Sequence, residues 1–86
     1  MSTTRYQEDY SCVTHFLKDN IGLYYCDDCL YEESKIGSSS QANTIRRRLL
    51  TFPNSYDEGT ECDFCGKTRT TIAFLPRIYH LGPYPA

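Results

Sequence analysis

Two C-x-x-C pairs, Cys26/Cys29 and Cys62/Cys65, limit the folding of this chain more than any other feature. Two residues between cysteines let one tight backbone turn aim both sulfurs at a single point. Two such turns from distant parts of a chain complete a tetrahedral thiolate shell, the usual arrangement for structural zinc. The expectation is one structural Zn2+ per chain, ligated by all four cysteines. Disulfides and redox-active dithiols are the competing uses of such pairs. The start of the chain does not read as a secretory signal, which weighs against disulfides.

Iron requires a separate test. A rubredoxin-type site carries C-x-x-C-G at both knuckles, the glycine freeing backbone amides to donate to the sulfurs. Cys62-Asp63-Phe64-Cys65-Gly66-Lys67 fits that form, but Cys26-Asp27-Asp28-Cys29-Leu30 has no glycine. Half of the iron pattern is missing, so zinc is favoured.

With 86 residues the chain makes one small domain, a size at which an apolar core alone supports only a few kcal/mol. A metal that binds only the folded chain supplies much of the rest. No apolar run approaches a membrane span, so a reducing, cytoplasmic setting without membrane association is expected. The formal net charge is −2, and a shell of four thiolates around one divalent ion makes it more negative. Acids gather at Glu8, Asp9, Asp27, Asp28, Glu32, Glu33 and from Asp57 to Glu61, whereas bases gather at Arg46-Arg47-Arg48 with Lys67, Arg69 and Arg77 downstream. One basic element on an acidic body is the resulting pattern.

Residues 1–8 are polar and read as a flexible N-terminus, although Thr4-x-x-Gln7 has the form of a helix cap. Tyr6, Tyr10, Val13 and Leu17 then recur at helical spacing, and Asn20-Ile21-Gly22 offers a stop. Leu23-Tyr24-Tyr25 is β-prone and leads into the first knuckle. A second helix is expected at roughly 28–36, capped by Asp27 or Asp28. Ser38-x-x-Gln41 has capping-box form and opens a third helix at 39–51, with Ala42, Ile45 and Leu49 on its apolar face. Phe52-Pro53 ends it. Residues 53–61 read as a polar loop. Thr70 to Leu75 is β-branched and apolar, so a hairpin is expected over about 61–75. Residues 76–86 form an extended, proline-rich tail. The fold class is therefore α+β: a small zinc-stapled winged-helix-like domain over residues 9–75, with three short helices and a β-hairpin bearing a zinc knuckle.

Four segments follow one arrangement: residues 13–17, Tyr25 to Leu30, Ile36 to Asn43, and Cys62-x-x-Cys65-Gly66-Lys67. It resembles small, uncharacterised bacterial proteins with a C-x-x-C-L segment, a helix-turn-helix-like stretch and a closing C-x-x-C-G. The similarity covers roughly residues 12–68. The resemblance implies metal ligation with more force than it implies DNA binding.

Two partner classes stay open. If the partner is DNA, the helix at 39–51 enters the major groove, where Gln41, Asn43 and Arg47 are side-chain types that address base edges. Ser39, Ser40, Arg46 and Arg48 would then contact phosphates, and Lys67 and Arg69 would serve as wing contacts. The alternative is a zinc-stabilised protein-interaction module, an adaptor or inhibitor, using the tyrosine-rich surface and the tail. An enzyme is not expected: four cysteines close the zinc shell, His15 and His80 have no acid–base partner, and no small-molecule substrate is evident. Cys12 and His15 have ligand-like spacing, but Cys12 lies beside the apolar stripe and is expected as a buried small hydrophobe.

Overall fold

The computed structural model describes residues 2–76. Helix α1 (Ser2–Asp19), strand β1 (Tyr25–Cys26), helices α2 (Asp27–Ser34) and α3 (Ser39–Leu49), and strands β2 (Tyr56–Glu61) and β3 (Thr68–Phe74) follow in that order. The strands form one antiparallel sheet in the order β1-β3-β2. The described residues form a small α+β domain of three helices, a three-stranded sheet and a cysteine cluster. Among the described residues no helix is long and apolar enough to cross a membrane. Residues 77–86, and with them His80 and all but the first residue of the expected tail, lie outside the described residues.

The apolar stripe of α1 faces the core as its spacing requires. Val13 and Leu17 are fully buried, and Tyr6 and Tyr10 pack against the same cluster. Leu30, Ala42, Ile45, Leu49 and Ile72 complete the centre, so all three helices and β3 share one core. Each fully buried aliphatic side chain of this size contributes about 1.5–3 kcal/mol. The chain leaves α1 through Gly22 at φ +85, the left-handed conformation that a stop after Asn20 requires.

Four expectations need correction. Helix α1 begins at Ser2, not after a flexible segment of eight residues. Helix α2 ends at Ser34, because Lys35 takes the left-handed cap at φ 59 that glycine usually fills. The polar loop expected at 53–61 contains strand β2. Only Tyr56 of that strand is buried, since β2 is an edge strand and its acids face water, so no apolar alternation marks it. Cys12 is exposed on α1, beside the stripe but outside the core.

The turn between α2 and α3 is held by a residue that sequence patterning passes over. Asp9 of α1 is only 4% exposed. Its Oδ2 accepts from the Gly37 amide at 3.2 Å and, at the limit of a hydrogen bond, from Gln41 Nε2 at 3.5 Å. Its Oδ1 lies 3.4 Å from Arg5 Nε. Ser38 caps α3 by accepting from the Gln41 amide at 3.1 Å, while the Gln41 side chain turns to Asp9 instead of closing the capping box. Asp9→Ala is expected to lower stability by about 1–3 kcal/mol, read as an earlier urea midpoint at unchanged slope.

Candidate metal centre

Each cysteine pair is aimed by a different local structure. Cys26 closes β1 and is the N-cap of α2, and Cys29 lies three residues on, in the first helical turn. That spacing puts both sulfurs on one side of the helix start. Cys62 and Cys65 occupy the β2–β3 turn, where the Gly66 amide donates to Cys62 O at 2.8 Å and the Cys62 amide to Lys67 O at 3.0 Å. Gly66 has φ +77, and a Cβ there would meet nothing within 4 Å, so the backbone angle alone demands glycine. Tyr24 locks this turn to β1: its amide donates to Asp63 Oδ2 at 2.9 Å, and the Asp63 amide returns a bond to Tyr24 O at 2.8 Å.

The four Sγ atoms lie within 4.8 Å of one another. Cys26 and Cys65 are 3.8 Å apart and Cys29 and Cys62 3.7 Å apart. A tetrahedron with metal–sulfur bonds of about 2.3 Å has edges of about 3.8 Å, so the donor set fits one tetrahedral ion. All five cysteines are free, and sulfurs at these separations are far from the roughly 2.05 Å of a disulfide. Cys26, Cys29 and Cys62 are buried, while Cys65 faces solvent.

The electrostatics of the thiols follow from this crowding. Burial, then the neighbouring Cys26, Cys62 and Cys65 thiols, push Cys29 well up. Burial raises Cys26 as well. Burial also acts to raise Cys62, but amides of Cys65, Cys26 and Phe64 directed at its sulfur win and hold it at about 6. Two of those amide–sulfur contacts measure 3.5 Å from Cys65 and 3.4 Å from Cys26. Four thiols so close ionise together only when a cation offsets their mutual repulsion.

The expected DNA-contact residues are scattered by the fold. Arg46 is buried, with Nε 2.7 Å and Nη2 3.4 Å from the Asp27 carboxylate. Asn43 Nδ2 donates to the same carboxylate at 2.9 Å. Reading Arg46 as an exposed phosphate contact is therefore corrected. Its place beside the buried Ile45 and Leu49, one turn from Ala42, turns its stem inward. Arg69 pairs with Asp28, and Gln41 points to Asp9. Ser40, Arg47, Arg48 and Lys67 are exposed and Ser39 half-exposed. Asp27, Asp28 and Asp63 are the contributors missed by sequence reading. Their signal was adjacency to a ligand, which reads equally well as helix-start acidity. Cys12 and His15 belong to no metal-binding group among the described residues.

A groove of about 360 Å³ runs between Asp27–Asp28, the α3 start at Ser39–Ser40, and Arg69–Thr70 of β3. It brings the beginning of α3 together with the start of β3, beside the cysteine turn of the hairpin. No protein-family model, curated protein or solved structure matches the chain. The resemblance to small bacterial proteins thus gains no support from comparison, and the cysteine cluster is what stands.

Removing the metal from loaded protein with a chelator is expected to abolish cooperative unfolding, since binding at comparable structural zinc sites is worth about 10–16 kcal/mol. Thermal melts before and after metal return check this. A second expectation concerns Tyr24, whose hydroxyl donates to Asp57 Oδ2 at 2.6 Å. That bond first, then burial and the charges of Asp57 and Asp63, raise its phenol to about 12 from an ordinary 10. The folded state holds this proton more tightly, so the contribution is complete below pH 10 and lost as pH climbs through 12. Asp57→Asn should return the phenol towards 10 in an ultraviolet titration.

Proposed function

We propose that this chain is a non-catalytic, zinc-stapled regulatory domain of winged-helix type, with one Zn2+ per chain, that binds DNA through α3. The fit of four sulfurs to zinc–thiolate distances supports the metal. A shell of four cysteines leaves no open position for water or substrate, which argues against zinc catalysis. The element order and the β1-β3-β2 sheet agree with the winged-helix arrangement, in which the metal knuckle occupies the wing tip.

One observation carries the DNA reading: the outward stripe of α3 is polar and solvent-facing, and α3 starts in the same groove as the turn-side end of β3. Ser40, Thr44 and Arg47 follow one another at i, i+4 and i+7, opposite the buried Ala42, Ile45 and Leu49. Arg47 is the base-reading candidate, Ser39 and Ser40 are phosphate contacts at the helix start, and Arg48 and Lys67 are flanking cations. Arg46, Asn43 and Arg69 act in this reading by shaping the surface, since aspartates already engage them.

A second reading, a protein-interaction module, is favoured by the exposed apolar residues Leu23 and Phe64, which flank the Tyr24–Asp63 pair at 43% and 57% exposure. The readings separate in a salt titration of duplex binding. With Arg48 and Lys67 as the phosphate-facing cations, log affinity should fall against log salt with a slope of about −2. Arg47→Ala should weaken binding about tenfold or more, at unchanged zinc content and within about 0.5 kcal/mol of parent stability. Arg46→Ala should instead destabilise by about 1–3 kcal/mol, through loss of its charged bonds to Asp27. No binding to any duplex at low salt would leave the protein-interaction reading.

A further inference from the structure

We infer that the groove between the N-terminal half of α1 and the end of α3 is a docking surface for the chain's own residues 77–86. The groove holds about 350 Å³ and is lined by Tyr6, Gln7, Tyr10 and Arg48. Tyr6 and Tyr10 stand one helical turn apart, with ring centroids 5.9 Å apart. Both rings are only partly buried against the core, so two aromatic faces lie side by side next to an amide and a guanidinium. Paired aromatic rings rimmed by hydrogen-bond donors suit a proline-rich segment. Proline packs flat on the rings, and its backbone offers only carbonyls for the donors.

Two lines of contact lead from the end of the described chain to this groove. The first is aromatic. The Phe74 ring lies 5.3 Å from that of Tyr56, which belongs to the core cluster that Tyr10 packs against. The second is backbone. The Leu75 amide donates to Ser55 O at 2.7 Å, Ser55 to Phe52 O, and Phe52 to Leu49 O, the residue beside Arg48. Pro76 therefore leaves the fold next to the segment that ends α3. The ten residues that follow include Ile78, Tyr79, Leu81, Pro83, Tyr84 and Pro85, and no acid. Ten residues in polyproline geometry reach about 31 Å, ample for a groove of one helical turn and its approach. This inference does not depend on DNA binding, although Arg48 has a part in both.

The test is nuclear Overhauser spectroscopy on the full metal-loaded chain, mixing carbon-13-labelled and unlabelled protein equally. Contacts from Pro83, Tyr84 or Pro85 to the Tyr6 and Tyr10 rings are expected within single molecules. Their absence overturns the inference, as do contacts found only between labelled and unlabelled molecules, which would make the occupant a second copy. A Pro83→Ala/Pro85→Ala chain leaves the described fold untouched and gives an independent reading. Chymotryptic cleavage after Tyr79 should run about tenfold faster in it than in the parent, because cleavage follows the undocked population. Equal rates count against the inference.

Discussion

Four sulfurs within 4.8 Å of one another cannot all be thiolates without a cation, and together they bind one strongly when it is present. This constraint reaches well beyond the site. Residues 63–70 of the hairpin are all exposed, so the turn has almost no apolar burial to hold it against the helices. Its anchors are the buried Cys62, the Tyr24–Asp63 bonds, the Arg69–Asp28 pair and the sulfur cluster. In a domain this small, that cross-link does what a larger core would do elsewhere. The two arms also prepare the site unequally. Amides from both arms are directed at Cys62, whereas Cys29 depends on the incoming charge to ionise.

Asp27 carries the consequence to α3. It follows the ligand Cys26 directly, and its carboxylate accepts from Asn43 and Arg46 of α3. The backbone that positions one sulfur therefore also fixes the rotation of the third helix. This explains why three consecutive arginines are not one basic patch. At about 100° per residue, neighbours on a helix face different directions: Arg46 to Asp27, Arg47 to solvent and Arg48 to the α1 groove. A run of charge in sequence is therefore not one surface on a helix, where residues three or four apart share a face.

The same geometry separates what was legible in the sequence from what was not. Cysteine spacing, the Tyr6–Leu17 stripe and the Ser38 cap each rest on a local rule, and each is found in the fold. Strand β2 was hidden because pairing with β3, not its own composition, makes it a strand; only Tyr56 points inward. Gly59 illustrates the point. It reads as a loop glycine, yet a Cβ there would meet the Tyr24 ring at 2.6 Å and Thr71 Oγ1 at 2.7 Å. The glycine makes room for a ring from 35 residues earlier in the chain. Asp9, Asp27 and Asp28 were visible as acids, but their partners lie 28, 19 and 41 residues away, beyond any local periodicity.

Net charge is a poor guide to how such a surface meets a polyanion, and the sheet order shows why. The exposed acids Asp57, Glu58 and Glu61 lie on β2, the strand farthest from β1 and hence from the start of α2. Those acids also discourage pairing along the free sheet edge, which gives them a role without any partner. The charge that matters for the α3 groove is closer. Asp28 is paired with Arg69 on the groove wall, and both side chains are substantially exposed at 57% and 40%. An exposed pair of this kind adds little to stability, because solvent screens it. Arg69 is thus already partnered on the groove wall, and its charge is offset there by the Asp28 carboxylate. On this wall the two bases Arg46 and Arg69 are each matched by an acid of α2, Asp27 and Asp28, so the groove is close to neutral despite its arginines.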